Sequence, residues 1–238
     1  GKATVYFHYS PSRGGKVADE ILANYKGYIQ TDGYSGYNFI SSRPEQKHLA
    51  CWAHVRRKFF DSIKAAGEGA EPGIAHEAVA IINSLYKIEK DARVNGLKPD
   101  AIQKIRDQQS KPILESFKAK LETWKKTVVP KSLTGKAVAY TLNLWDRLIV
   151  YLENGELQID NNSAENAIRP FAVGRKNWLF ADTVDGAMAS AVLYSIIETA
   201  KANGLEPYWY LRFLLEKAPG LKSKEDFRSL IPQNIDRQ

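Results

Sequence analysis

From Ala75 to Leu152 the apolar residues return at helical spacing almost throughout, and this long stretch most limits what the chain can fold into. Ile81, Leu85 and Ile88 mark one helix. Ile113, Phe117, Leu121 and Trp124 mark another after a break near Pro112, and Leu144, Leu148 and Leu152 mark a third, stopped by Gly155. These stripes are core faces and carry no cofactor pattern. The residues before them read differently. "ATVYFHYS" (3–10) predicts a strand, "SPSRGG" (10–15) a turn, and "KVADEILANY" (16–25) a helix with Val17, Ile21 and Leu22 on one side. A second short strand follows at 27–32, then a Gly-punctuated turn into a short helix at 33–40, a third strand at 47–54, and a helix at 55–67 closed by Gly67. Beyond the helical stretch, 175–186 reads as a hairpin or loop. Helices are predicted at 187–204 and 207–218, with Gly204 as the stop and Pro207 as the start, and a polar, loosely held tail follows Pro219. Strands first and helices later predict a mixed α/β core interrupted by an all-helical insertion. The expected boundaries are 1–70 for the first part of the core, 71–155 for the insertion, 156–220 for the rest of the core, and 221–238 for the tail.

Composition narrows the partners. Lys and Arg outnumber Asp and Glu by 34 to 27, a net charge of +7, which favours a polyanion such as nucleic acid. Cys51 is the sole cysteine, so neither an intrachain disulfide nor a cysteine-based zinc cage can form, and a reducing cytoplasm is the default expectation. No apolar run reaches the length of a membrane span, and no signal peptide opens the chain. The first residue is Gly1, so the chain reads as a fragment of a longer protein.

Chemistry-bearing residues gather in three places. Asp32 follows a predicted strand and precedes Gly33. It is either a simple Asp-Gly turn or a carboxylate at the carboxyl end of a strand, where α/β sheets bind ligands. "DNNSAENAIRP" (160–170) brings Asp160, Asn161, Asn162 and Glu165 together. Asp and Asn are strong N-cap residues, and Asn162 with Glu165 fits a loose capping box, so a helix start is one reading. The other makes Glu165 a second carboxylate, delivered by a helix to a hard cation such as Mg²⁺ or Mn²⁺. Cys51 and His54 form C-x-x-H, but zinc needs two more ligands and no other cysteine exists. Packing, or a contact of His54 with a phosphate or the surroundings of a metal, fits better. Arg56, Arg57 and Lys58 follow at a helix start, and Arg169, Arg175, Lys176 and Trp178 form a second basic cluster holding an aromatic. Each is either a solvated face or a contact to DNA phosphates and unpaired ends.

Four ordered stretches, "IQTDGYSGYN", "CWAHVRRKFFD", "IDNNSAENAIRPFAVGRKNWLF" and "YSIIETAKANGLEPYWYLRFLLE", together resemble the transposases of the insertion sequence 66 family. The resemblance covers nearly the whole chain and is weakest in the helical stretch between the second and third motifs. It implies a DDE-type catalytic domain with a ribonuclease H-like fold. It places the middle catalytic Asp at Asp32 and the final Glu at Glu165, with a helical insertion between them. It also implies two Mg²⁺ or Mn²⁺ ions about 3.5–4 Å apart, clamping the oxygens of an in-line displacement at phosphorus. Water would first free a 3′-OH at the end of the element, and that 3′-OH would then attack a target strand. DNA would be the partner, a homo-oligomer the active form, and the bacterial cytoplasm and nucleoid the location. The family's first Asp belongs to an A-D-E-T-like motif, and nothing before Asp32 matches it; Asp19, in "VADEILANY", reads as part of a helix. The chain is therefore expected to start inside the catalytic core, after its first two strands, and to be inactive alone. Two alternatives keep the fold and differ in chemistry. One is a nuclease that cuts without joining, and the other is a non-catalytic DNA-binding or oligomerisation module.

Overall fold

A computed structural model of the chain describes residues 3–12, 14–67, 69, 71–178 and 181–235, with the backbone alone at 175–178. The chain divides into two compact units, one of residues 14–162 and the other of 1–13 with 163–238.

In the 14–162 unit, helix α1 (Gly15–Ile21) leads into strand β1 (Gly27–Thr31). A 3₁₀ segment (Ser35–Ser42) then returns the chain to strand β2 (Gln46–Ala50), which pairs parallel to β1 in the register Gly27↔Gln46 to Thr31↔Ala50. Helix α2 (Trp52–Ala66) starts two residues after β2 and stops at Gly67, whose φ of 85° ends the helix as expected. The expected third strand at 47–54 is therefore shorter. Cys51 is the residue before α2, and His54 lies in the first turn of that helix rather than on a strand.

Seven further segments follow in this unit. Helix α3 (Ile74–Val94) is followed by α4 (Pro99–Ile105), which runs through a π-helical turn (Arg106–Ser110) into α5 (Lys111–Thr127). The break expected near Pro112 is this π turn, with Pro112 the second residue of α5. Helix α6 (Leu133–Asn143) begins at Ser132, whose hydroxyl accepts the Gly135 N–H at 3.0 Å. The short helix α7 (Trp145–Leu148) and a 3₁₀ turn (Val150–Glu153) bring the chain back towards β2.

One apolar core joins β2 with α2, α3, α5, α6 and α7. Leu49 of β2, Trp52, Val55 and Phe59 of α2, Ile82 and Leu85 of α3, Leu114, Phe117 and Leu121 of α5, Val138 of α6 and Leu148 of α7 belong to the same buried cluster. The Trp52 ring lies 6.2 Å from that of Trp145 and 6.3 Å from that of Phe117, and its indole N–H donates to the Leu148 carbonyl at 2.9 Å. On α3 the buried stripe is Ala78, Ile82, Leu85, Glu89 and Ala92, one position round from the expected Ile81 and Ile88. Glu89 explains the offset. Its carboxylate receives Nε and Nη2 of the fully buried Arg106, each at 2.7 Å. The same guanidinium donates to the carbonyls of Tyr151, Asn154 and Leu157 at 2.6–2.7 Å. All five donors of Arg106 are thus directed at acceptors, the condition under which a buried charge is tolerated. The consequence is local: the π turn fixes the loop that leads to Asp160.

In the other unit, helix α8 (Asn162–Trp178) passes through Pro170. The hairpin or loop expected from residue 175 gives way to helix as far as Trp178. Helix α9 (Val184–Ala202) is capped by Thr183, whose hydroxyl accepts the Gly186 N–H at 3.0 Å. Helix α10 (Pro207–Lys217) has Pro207 in its first turn, and the Glu206 carboxylate receives the Trp209 N–H at 2.9 Å. The tail expected to be loose instead forms α11 (Lys224–Ser229), entered through a Ser223/Asp226 capping box, and the Tyr210 hydroxyl donates to the Leu230 carbonyl at 2.9 Å.

Residues 3–10 are extended but form no strand. They lie along α9, whose polar side chains take the place of a neighbouring strand. Val5 N–H donates to the Thr199 hydroxyl, which donates back to the Val5 carbonyl, both at 3.0 Å. Phe7 N–H donates to Ser195 Oγ at 2.8 Å, and Asn203 Nδ2 donates to the Ala3 carbonyl at 2.7 Å. The alternation read from the sequence is present, with Val5, Phe7 and Tyr9 half-buried and Tyr6 and His8 exposed, but its partner is a helix.

Candidate functional site

Asp32 sits one residue beyond the carboxyl end of β1, exposed to solvent. Its Oδ1 accepts the Tyr34 N–H at 3.0 Å, a local turn that fixes the carboxylate, and its carbonyl accepts the Tyr140 hydroxyl of α6 at 3.1 Å. Gly33 is required next. Its φ is 82°, and a Cβ there would lie 2.7 Å from the Tyr140 hydroxyl and 3.0 Å from Leu144 Cδ1. Beneath the turn, the imidazole of buried His48 is hydrogen-bonded to the hydroxyls of Thr31 (Nε2, 2.7 Å) and Ser41 (Nδ1, 3.2 Å). Burial, then the nearby Arg147 cation, lowers the His48 pKa to about 4, so the ring is neutral at pH 7. Burial, then the charge of Asp32, pushes the Tyr140 phenol up to about 12, which keeps it a donor. Lys58 of α2 lies with Nζ 4.5 Å from the centre of the Tyr140 ring.

Asp160 is held from three directions. Its Oδ2 accepts the Tyr86 hydroxyl and Asn162 Nδ2, both at 2.8 Å, and its Oδ1 accepts the Asn162 N–H at 3.1 Å. Burial, then Asp160, raises the Tyr86 pKa and keeps that phenol protonated. Asn161 N–H points at Cys51 Sγ at 3.5 Å, and Trp52 N–H donates to the Ile159 carbonyl at 3.2 Å. Residues 159–161 are thus fastened beside the β2–α2 junction. Burial pushes the Cys51 thiol up, so it packs and accepts rather than acting as a thiolate. Asn162 is the first residue of α8, and Asp160 supplies the acceptor for its N–H. Glu165 lies half-buried in the first turn of that helix, where the helix dipole favours a carboxylate.

Along α2, His54 and Arg56 are half-buried while Arg57 and Lys58 are exposed. Arg56 donates from Nε to Asn83 Oδ1 at 2.7 Å. Arg169 is exposed on α8. Arg175, Lys176 and Trp178 fall in the last turns of α8, and their side chains lie outside the described residues. The structure therefore brings Asp32, Cys51, His54, Arg56, Arg57, Lys58 and Asp160 to Asn162 into one unit, while Glu165 and Arg169 belong to the other. Among the described residues no three His, Cys, Asp or Glu side chains gather closely enough to hold a metal ion by themselves. A hard divalent ion at Asp32 would take one or two carboxylates and complete its shell with water and phosphate oxygens, which is how Mg²⁺ is commonly held. Tyr140, Tyr86, Asn83 and His48 carried no signal in the sequence. The first three lie in helices whose spacing speaks only of packing, and His48 lies in a strand.

Comparison with known proteins agrees with this arrangement of motifs. The sequence pattern described as "Transposase IS66 family" matches residues 1–189, and that of the "IS66 C-terminal element" matches residues 195–233. Among curated relatives, the uncharacterized protein y4jD of Sinorhizobium fredii (strain NBRC 101917 / NGR234) is 34% identical over 97% of this chain and 45% of its own length. The uncharacterized protein y4qI of the same strain is 32% identical over 97% of this chain and 43% of its own length. The chain thus spans less than half the length of these relatives. No solved structure matches it significantly. Two family patterns that between them run from residue 1 to residue 233 place the chain in the IS66 family of transposases.

Proposed function

We propose that this chain carries part of the catalytic centre of a DNA-cleaving and DNA-joining enzyme of the DDE type, on a ribonuclease H-like core. The observation that carries the reading is Asp32. It is an exposed carboxylate, fixed by its own turn and by Tyr140, at the carboxyl end of a parallel strand pair. Glu165, in the first turn of α8, is the second acid. These two residues would hold Mg²⁺ or Mn²⁺, which supplies Lewis-acid stabilisation of charge on the phosphoryl oxygens. The cationic face of α2, with Arg56, Arg57 and Lys58, would draw in the DNA backbone, with Arg169 as a further phosphate contact. DNA is then the substrate and partner, and the active form is an oligomer in the bacterial cytoplasm.

The test uses the full-length transposase and a labelled element end. Asp32→Asn and Glu165→Gln should each lower strand cleavage and joining by at least about 10³-fold, as expected when transition-state charge stabilisation is lost, while DNA retention stays within about threefold because phosphate contacts supply most affinity. Cleavage at the wild-type rate by either variant would refute the assignment of that residue. Cleaved ends without joined products from the wild-type protein would instead mark a nuclease.

A further inference from the structure

Between α2 and α3 the 14–162 unit holds an open recess of about 500 Å³. Arg56, Arg57 and Phe60 come from successive turns of α2, Asn83 and Tyr86 from α3, and Asn162 closes one end. We propose that this recess receives one unpaired nucleotide of the DNA strand, with its base against Phe60 and its phosphate on the arginines. The inference rests on the DNA-processing reading above and specifies what form of DNA the site takes.

Three observations support it. The first is shape: the recess is of the size that holds a small molecule, and a double helix about 20 Å across cannot enter it. A duplex could only offer phosphates to its rim. A base swung out of the stack would fill it. The second is chemistry. Phe60 is a large apolar side chain left 40% exposed, with Lys64 Nζ 5.1 Å from its ring centre on one face and two arginines nearby, and an aromatic beside cations is the combination that stacks a base and follows its backbone. The third is hydrogen-bonding capacity. Among the described residues, Arg56 uses only Nε on protein, to Asn83 Oδ1, which leaves its two Nη groups for a phosphate. Asn83, with its oxygen occupied, keeps an amino group directed by that bond, and Asn162, tied through Nδ2 to Asp160, keeps its oxygen. An amide donor at Asn83 and an amide acceptor at Asn162, both lining the recess, suit the edge of a base. A patch serving duplex phosphates alone would need neither the amides nor the exposed ring.

The experiment measures binding of the 238-residue chain to two labelled duplexes of equal length. One is fully paired and the other has a single unpaired 2-aminopurine. The bulged duplex should bind about tenfold more tightly, within the range of one base–aromatic stack, and the 2-aminopurine emission should be quenched on binding. Phe60→Ala should remove the preference and the quenching while leaving the paired duplex unchanged. Asn83→Ala, at an exposed position, should reduce the preference about threefold. Equal binding of the two duplexes, or a preference that survives both substitutions, would overturn the nucleotide pocket and leave the DNA reading standing. Failure to bind either duplex would overturn both.

Discussion

The unit that holds Asp32 and the unit that holds Glu165 are built on different terms. Among the described residues, every large side chain with less than 2% exposure, from Trp52 and Phe59 to Phe117, Leu121 and Tyr151, belongs to the 14–162 unit. The other unit buries Ala191, Ala200, Tyr210 and Leu230, the last two with 6–7% still exposed, and has an aromatic group of Phe7, Phe171 and Tyr194 that is only partly covered. It also leaves Val184, Met188 and Val192, a single stripe of α9, more than half exposed, with Trp209 and Leu215 on α10. The lesson is that one acid is fixed by a dense core reaching through five helices, while the other rides on a helix whose neighbours are linked mainly by side-chain hydrogen bonds and half-buried rings.

The largest expected break in this comparison is at Arg106. Arg106→Ala strands the Glu89 carboxylate and leaves three loop carbonyls without their donor, so the 14–162 unit should lose about 3–5 kcal/mol. Hydrogen exchange at the amides of α2 and α5 would read that loss, and exchange unchanged within error would refute the clamp. A smaller effect is expected from pH. The folded state holds His48 below the usual imidazole pKa, so the unfolded chain binds the extra proton first. Stability of this unit should therefore be complete above about pH 6.5 and fall as pH drops towards about 4, by up to about 3 kcal/mol. His48→Gln should flatten that part of the profile, and an unaltered slope would show that another group titrates. The smallest effect belongs to the other unit. Thr199→Val removes two hydrogen bonds to Val5 and should cost about 1–2 kcal/mol. It should also speed exchange of the Val5 amide while leaving the amides of α10 as they were.

Much of the fold was legible because periodicity reports what each residue buries. The strand at 27–31, the start of the one at 46–50, the stop at Gly67 and the stop and start at Gly204 and Pro207 lie where turn residues and spacing put them. Residues 3–10 misled because alternation reveals an extended chain with one covered face and says nothing about what covers it. Residues 175–178 misled because a short stretch with one aromatic suits a loop, a strand or a helix end equally, and the described backbone there is helical. Of the proposed site residues, Asp32 and Glu165 stood out through ordered motifs. The residues that brace Asp32, Tyr140 and His48, did not, because a hydroxyl in a helical stripe and a histidine in a strand look like ordinary filling until the partner across 108 or 17 positions is known.

The contact of residues 3–7 with α9 works like a vernier. Two extended residues advance about 6.6 Å, and four helical residues advance about 6.0 Å, so the rows Ala3–Val5–Phe7 and Asn203–Thr199–Ser195 run nearly in step. The error grows by about 0.6 Å per rung, so three rungs stay within hydrogen-bond tolerance and about two more would not. Such a graft is short by arithmetic, whatever its sequence. It is also keyed to parity: deleting one residue between Val5 and Phe7 would turn the opposite row of N–H and C=O groups towards the helix and unfasten the segment beyond the cut.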